Sequence, residues 1–481
     1  MTYKSLKINV VLNGIKQCCA ILFPLITFPY ISRVLGSDGF GKYSFSYSVV
    51  SYFLLIGALG INTYAIREGA KIRDEKKRIT KFASQMFSIN ICSVMISYIL
   101  LVIVMFLSIK IRSYAPYILL QSVSMILTAV GTDWINSIYE DFLYITLRYI
   151  FMQIIALVLM FIFVKSSNDV PAYCLISVLA SSGGNLLNIF YVRKYVKYRF
   201  TLHMNIKKHI VPLMVLFANS IAITIYVNSD ITMLGFYFDD ITVGIYSFSS
   251  KIYNILKQLI YAIIVVSIPR IAYVVKNCRE KYDVYMNKIF MALITFLLPI
   301  IAGMVGMSST IIQVAGGKEY VTGSGVLQVL SIALFFAIVG ALFTNCVLIV
   351  FNDEKECLKA TIMSAIINIV LNIILLPYLG MIGAAITTVI SEIVNCIMQI
   401  IFSIKFYSWR KLNFKPLRCC LIGGGLIVIV CVICNTFIDN IYFRMSVAIL
   451  FSVIVYGTVL ILMKHSLVME VVYQLKRLKK R

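Results

Sequence analysis

Long apolar segments alternate with short polar ones along the whole chain. A helix needs about 20 apolar residues to cross the hydrocarbon core of a bilayer. Segments of that kind lie near residues 8–32, 43–64, 83–109, 114–138, 142–164, 171–192, 209–232, 242–268, 287–310, 326–351, 357–378, 381–404, 417–438 and 442–464. The pattern predicts an all-α polytopic membrane protein with about 14 transmembrane helices. The loops between them are too short for a soluble domain.

The first apolar segment follows Lys4 and Lys7 and continues to Ile31 without a small-residue cleavage site. It is predicted to be a retained membrane span rather than a signal peptide. The twelve cysteines mostly lie inside apolar segments, and Cys431 and Cys434 form a C-x-x-C pair within one of them. We interpret them as small apolar side chains. The three histidines lack metal-ligand spacing, so neither a metal nor a cofactor is predicted.

Composition agrees with this class. The 481 residues are 60% hydrophobic and 13% charged, which is about half of the 25% charged residues in a typical soluble domain. The apolar content excludes a disordered chain. Lys and Arg outnumber Asp and Glu by 44 to 20, which gives a net charge of +24. So little polar surface remains that a nucleic-acid partner is not expected.

The basic residues are distributed asymmetrically between alternate loops. With the N-terminus inside, 33 Lys and Arg fall in inside segments and 7 in outside segments. Such an excess marks the cytoplasmic side. It predicts fourteen spans with both termini in the cytoplasm, including a basic tail at 465–481. Most of the net charge is thereby explained by topology and by attraction to anionic lipid.

One motif occurs twice. The sequence G-x-Y-S-F-S stands at 41–46 and again at 244–249, and a Leu-Gly pair precedes each copy. Both copies lie at predicted outside loops, and six spans separate them. This arrangement is typical of transporters built from two parallel halves. This predicts six-helix halves at 1–192 and 209–404 around a central cleft, followed by two additional helices at 417–464.

Ionisable side chains inside spans cost about 2.5–3.5 kcal/mol each on insertion scales, so they usually face a cavity or a partner. The candidates are Lys16, Arg33, Arg148, Lys251 and Lys257 on the basic side, and Asp133, Asp230 and Glu392 on the acidic side. The basic members outnumber the acidic ones. A cleft lined in this way would attract an anion, and phosphate is the expected one.

Several of these residues also have simpler explanations. Lys16, Arg33 and Asp133 lie near a predicted interface and can extend toward water. Arg148 can pair with Asp141 or with an acidic residue on the fourth span. Each of these residues is therefore a candidate for cleft lining or for a local role.

The deepest candidates lie on spans 8 and 12. Lys251 and Lys257 are about 240° apart around a helix, so both cannot face the cleft squarely. Lys251 is favoured because it continues the polar face of Ser249 and Ser250. Glu392 is either a proton- or sodium-coupling group or the neutralising partner of a lysine.

Several segments in combination resemble the Wzx-type polysaccharide flippases of the multidrug/oligosaccharidyl-lipid/polysaccharide exporter superfamily. The resemblance covers about residues 8–405. It is carried by Phe28–Gly36 with Gly39 and Gly41, Tyr64–Ala70, Asp133-Trp134, Glu140-Asp141, Thr146–Arg148, Asp230–Gly235, Val243–Tyr246 and Gly380–Ala385 with Glu392.

The resemblance implies a flippase that moves undecaprenyl-pyrophosphate-linked oligosaccharide repeat units from the inner to the outer leaflet of the bacterial cytoplasmic membrane. The product would be O-antigen, capsule or another surface polysaccharide. It also implies membrane lipid as the surroundings, and a polysaccharide polymerase and other envelope-assembly proteins as candidate partners. Arg33, Arg148 and Lys251 then become the first candidates for binding the pyrophosphate, followed by Lys16 and Lys257.

Three other functions are weighed against this one. A multidrug antiporter of the same superfamily exports cations and would need an acidic cleft. A membrane polymerase or acyltransferase would need a large outside loop or a histidine within a span, and the sequence has neither. A peptidoglycan-precursor flippase uses the same architecture and is poorly separated by sequence.

Overall fold

The computed structural model describes residues 6–465 and 467–469. This part of the chain folds into α-helices and short helical turns, without a β-strand. It forms two compact units, one ending at Gly244 and the other beginning at Ile245. The helices of the first unit are α1 (Leu6–Ala58), α2 (Ile61–Ala70), α3 (Lys76–Leu107), α4 (Ile109–Ser113), α5 (Ala115–Gly131), α6 (Asp133–Ile138), α7 (Phe142–Phe163), α8 (Val170–Val178), α9 (Gly184–Tyr191) and α10 (Ile206–Tyr237).

Helix α11 (Asp240–Asn277) begins in the first unit and lies mostly in the second. The second unit continues with α12 (Tyr282–Gly306), α13 (Ser308–Gly316), α14 (Ser324–Phe343), α15 (Glu354–Ser403), α16 (Lys415–Phe437) and α17 (Ile441–Leu462). A π-helical turn at Leu179–Gly183 joins α8 to α9, and another at Thr344–Leu348 extends α14.

At two positions where the sequence predicts a loop, the chain stays helical and only one glycine departs from helical angles. The segment 33–42, read as a polar loop, is helical except at Gly36, whose φ of 66° breaks α1. Gly380 breaks α15 in the same way, with φ 54°. Backbone with positive φ is readily accessible to glycine, so one residue suffices to redirect the chain.

The two copies of the repeated motif contact each other within the first unit. A Cβ placed on Gly41 would overlap the carbonyl oxygen of Asp240, and a Cβ placed on Gly244 would overlap that of Ser37. Adding the same offset of 203 residues to Ser37 and Gly41 gives Asp240 and Gly244. The two contacts are therefore equivalent, and each glycine admits the backbone of the other copy.

A buried apolar cluster joins distant parts of the first unit; we call it the Trp134 cluster. It includes Ile61 and Tyr64 of α2, Phe82 of α3, Trp134 of α6 and Leu213 of α10, together with Val192, Val196 and Met204 of the connecting segment. His209 of α10 adds polar links, since its ring nitrogens are hydrogen-bonded to the Tyr64 hydroxyl (2.8 Å) and to Gln85 Oε1 (3.3 Å). These contacts attach α10 to the first unit.

Eleven helices of the described chain are long and apolar enough to cross a membrane. Two of them contain the breaks at Gly36 and Gly380, and α5, with 17 residues, is a shorter apolar helix. The all-α polytopic class is confirmed. The count of fourteen spans stays a prediction, as does the division into six-helix halves.

Candidate functional site

The first unit contains an ion pair between Asp133 and Arg148. Arg148 Nη2 donates to both carboxylate oxygens of Asp133, at 2.6 and 2.7 Å. Only 7% of the Arg148 side chain is exposed, compared with 44% for Asp133. The guanidinium also lies 5.4 Å from the ring centroid of Tyr144. The predicted alternative in which Arg148 pairs with a carboxylate of the fourth apolar segment is thus the one present.

Two asparagines extend this pair into a network that sequence reasoning missed, and a third lies beside it. Asn188 Nδ2 donates to Asp133 Oδ1 at 3.1 Å, and Asn136 Nδ2 donates to Asn188 Oδ1 at 2.6 Å. Asn185 lies one turn before Asn188 on α9. The signal was present in the sequence, because two amides three residues apart within an apolar run fall on one helix face.

Local backbone features place the two charged residues opposite each other. Thr132 adopts a left-handed conformation (φ 46°) that ends α5 and starts α6 at Asp133. Helix α7 carries Arg148, and Gly184 of α9 leaves room for it, since a Cβ there would lie 3.1 Å from Arg148 Nε. Both ends of the pair are thus defined by short-range structure.

A buried carboxylate anchors the start of α7. Asp141, directly before this helix, accepts hydrogen bonds from the hydroxyls of Tyr191 and Tyr195, both at 2.7 Å, and from Lys194 Nζ at 3.2 Å. Burial, and then the bond to Asp141, raise the pKa of Tyr195 well above its usual range. The cluster fixes α7 against the segment after α9, and Arg148 follows two turns later.

The first unit contains three further candidates from the sequence. Lys16 is half-buried on α1, with its Nζ 5.7 Å from the ring centroid of Tyr149, and it interacts electrostatically with Asp133 and Arg148. Arg33 is exposed, three residues before the break at Gly36. Asp230 is buried on α10. Lys16 therefore lies close enough to the Asp133–Arg148 pair to interact with both of its members.

The second unit also contains an ion pair, in which the acidic member rather than the basic one is buried. Lys257 Nζ of α11 donates to Glu392 Oε1 of α15 at 2.7 Å, and the Tyr253 hydroxyl lies 3.4 Å from the same oxygen. Here the carboxylate is the buried member, because Glu392 is 3% exposed and Lys257 31%. Of the two roles predicted for Glu392, partnership with a lysine is present. Lys251 is exposed and makes no hydrogen bond or ion pair within the described chain.

The fold of this chain is similar to those of solved membrane proteins. It matches the structure titled "Lipid II flippase MurJ, inward closed conformation" with a TM-score of 0.67 and 20% identity, over 91% of this chain and 98% of that one. It matches an inward-facing multidrug resistance transporter of the MATE family with a TM-score of 0.59 and 16% identity, over 82% and 97% of the two chains. At these identities the likeness concerns the fold. The chain is a multi-pass membrane protein.

Residues 6–275 match the model of the polysaccharide biosynthesis protein family, Polysacc_synt. The match covers more than half of the chain. The chain therefore belongs to that family. A relative from Escherichia coli (strain K12), named "Putative O-antigen transporter", is 24% identical over 83% of this chain and 96% of its own length. A relative of the same name from Shigella dysenteriae is 23% identical over 81% and 97%. The resemblance inferred from the sequence motifs is confirmed.

Proposed function

We propose that the chain is a flippase for undecaprenyl-pyrophosphate-linked oligosaccharide repeat units. It moves them from the inner to the outer leaflet of the bacterial cytoplasmic membrane by alternating access, for O-antigen, capsule or a related surface polysaccharide. Family membership supports this function, as does the length shared with the Escherichia coli relative named for O-antigen transport. Under the proposal both termini are cytoplasmic, and the protein transports its substrate without changing it chemically.

The observation that carries the choice of an anionic substrate is the bonding of Arg148. Its Nη2 atom binds Asp133, whereas its Nη1 atom is buried and has no hydrogen-bond partner within the described chain. A guanidinium is a rigid set of five donors suited to phosphate oxygens. Arg148 therefore keeps donor capacity that Asp133 does not use, and Lys16 adds a second positive charge; both features favour an anionic phosphate substrate.

The same geometry argues against export of organic cations. A cation exporter needs a carboxylate that is available to the drug or to the coupling ion. Two of the three acidic candidates are neutralised, Asp133 by Arg148 and Glu392 by Lys257. A peptidoglycan-precursor flippase would bind the same pyrophosphate chemistry, so only the identity of the accumulating lipid separates it from the proposed function.

The test is complementation of a deletion strain. Arg148→Glu and Lys251→Glu should each abolish surface polysaccharide while protein remains in the membrane, because each reverses a positive charge that we expect to attract the anionic substrate. Lys359→Glu, on an exposed lysine paired with Glu356, is the matched control and should complement.

The lipid fraction distinguishes the possible substrates. Lipid-linked repeat units should accumulate in the deletion strain, whereas accumulation of peptidoglycan precursors would assign the alternative substrate. Since Arg148→Glu removes an ion pair, the exchanged pair Asp133→Arg with Arg148→Asp separates folding from function. It should be present in the membrane like the unmodified protein and still lack surface polysaccharide. Normal polysaccharide in both charge-reversal variants would overturn the proposal.

A further inference from the structure

A cavity of about 300 Å³ lies inside the first unit, next to the Asp133–Arg148 pair. Its walls come from α1, α2, α3, α5, α6 and α9. The polar lining consists of amides, a hydroxyl, an indole and one carboxylate: Asn62, Asn90, Asn185, Thr128, Trp134 and Asp133. Asp133 thus belongs both to the cavity and to the ion pair.

The polar groups of this cavity retain unused hydrogen-bonding capacity. Asn185 is 8% exposed, and its amide has no hydrogen-bond partner within the described chain. Asn90 donates to the Gly57 carbonyl oxygen at 2.8 Å, and its own Oδ1 accepts no bond there. Both amides line the cavity, so their unused donor and acceptor positions are open to a molecule that enters it. A ligand with complementary donors and acceptors would therefore be recognised there.

Neighbouring residues hold Asn185 in this position. A Cβ on Gly131 would lie 2.4 Å from both Cβ and Cγ of Asn185, so the glycine is what lets the amide pack there. Trp134 is 4% exposed and packs edge-on against Phe82. The cavity walls are consequently preorganised, which reduces the entropy lost on binding.

We propose that this cavity is a subsite for one sugar ring, the ring attached directly to the pyrophosphate. Amide groups both donate and accept hydrogen bonds, which matches sugar hydroxyls, while Leu54, Val94 and Met125 offer contact for the ring's C–H faces. The volume is at the lower end of ligand pockets, which span about 300–1,000 Å³, so it suits a single ring rather than a whole repeat unit.

The cavity lies next to the Asp133–Arg148 pair, and this position is why we assign it to the ring attached directly to the pyrophosphate. The inference rests on the proposed function, since it takes the ion pair as the place where pyrophosphate binds. A ring joined to that pyrophosphate would reach the cavity past Asp133. Oxygens of the carboxylate would then be shared between Arg148 and a sugar hydroxyl.

The chain offers a reporter for this subsite, because it contains two tryptophans. In the full-length Trp409→Phe protein, Trp134 is the remaining one. The probes are undecaprenyl pyrophosphate carrying a single N-acetylhexosamine and the same lipid without sugar. Acrylamide quenching of Trp134 should fall on binding of the sugar-bearing lipid. It should fall much less with the sugarless lipid.

Variants on opposite walls then test the hydrogen bonds. Asn185→Ala and Asn62→Ala should each lower the affinity for the sugar-bearing lipid about 3- to 10-fold. This is the range for one lost neutral hydrogen bond. Affinity for the sugarless lipid, measured by displacement of a fluorescent polyprenyl pyrophosphate, should not change. Asn277→Ala, on an exposed amide at the end of α11, is the matched control and should leave both affinities unchanged.

The outcomes separate this inference from the proposed function. If both lipids bind but protect Trp134 equally, or if both cavity variants leave the ratio of the two affinities unchanged, the sugar subsite is overturned and the flippase proposal stands. If neither lipid binds the unmodified protein, the proposed function fails, and the subsite fails with it.

Discussion

Arg148 and Glu392 are the buried members of their ion pairs, and in both cases the partner has more contact with solvent. One unit therefore buries a cation and the other a carboxylate. Breaking a buried pair costs about 3–5 kcal/mol when the group left behind is buried without compensation. The cost should accordingly depend on which member is removed.

We expect Asp133→Ala to destabilise the protein more than Arg148→Met, because it leaves the buried guanidinium unpaired. In the second unit Lys257→Met should cost more than Glu392→Gln for the converse reason. The measurement is the midpoint of thermal unfolding of the purified protein in detergent. Lys359→Met, which removes a surface pair worth about 0–1 kcal/mol, is the control. Equal losses from both members of a pair would contradict the argument.

The sequence was sufficient to identify the charged residues of these pairs, but it did not identify all of the residues around them. Asp133, Arg148, Lys257 and Glu392 stand out because ionisable groups inside apolar segments are rare. Asp133 and Arg148 are 15 residues apart, so a fourth-span partner for Arg148 could be named in advance. Lys257 and Glu392 are 135 residues apart, and their pairing depends on helix packing, which hydropathy does not encode. Asn185 and its neighbouring amides carry no charge. A search for charge therefore passes over them.

At the scale of elements, glycine determines how closely helices approach. Gly41 and Gly244 each admit a carbonyl oxygen of the other motif copy, and such close approaches allow Cα–H···O contacts. The motif was recognised from the sequence as a repeat. Its contact with itself was not predicted, because a repeat specifies similar local structure and leaves the packing of the copies open.

Gly41→Ala and Gly244→Ala should each lower the unfolding midpoint, since overpacking typically costs about 1–3 kcal/mol. Both substitutions push the same two backbones apart, so the double variant should lose less than the sum of the single losses. Gly425→Ala is the control. It lies within α16 with no atom within 4 Å of an added Cβ, and alanine there should be neutral or slightly stabilising. Additive losses would show that the two contacts are independent.

Hydropathy reading also misjudged the connections at this scale. Polar residues at 33–42 indicated a loop, but the chain remains helical on both sides of Gly36. Polar side chains are compatible with helix, and only the backbone angles of one residue had to change. The helical character of these segments was thus predictable from periodicity. The residue at which the helix breaks was not, because sequence patterns rarely specify the backbone angles of a single residue.

For the whole molecule, the distribution of Lys and Arg predicts an even number of spans. Fourteen spans place both termini in the cytoplasm, whereas an odd number such as eleven would place them on opposite sides. A C-terminal green fluorescent protein fusion should therefore fluoresce, and an N-terminal epitope should resist protease in intact spheroplasts. A disrupted-cell sample, in which the epitope is cleaved, is the control. Termini on opposite sides would refute the even count.

The Trp134 cluster has a consequence for synthesis of the protein on the ribosome. Its first contributor is Ile61 and its last is Leu213, about 150 residues later in the chain. At about 5–20 residues per second, the nascent polypeptide spends roughly 8–30 s with this core unfinished after its first helix has emerged. During that interval apolar surface meant for the Trp134 cluster is accessible to chaperones and membrane proteases. Translation speed between these two points thus becomes a determinant of how much protein survives to be assembled.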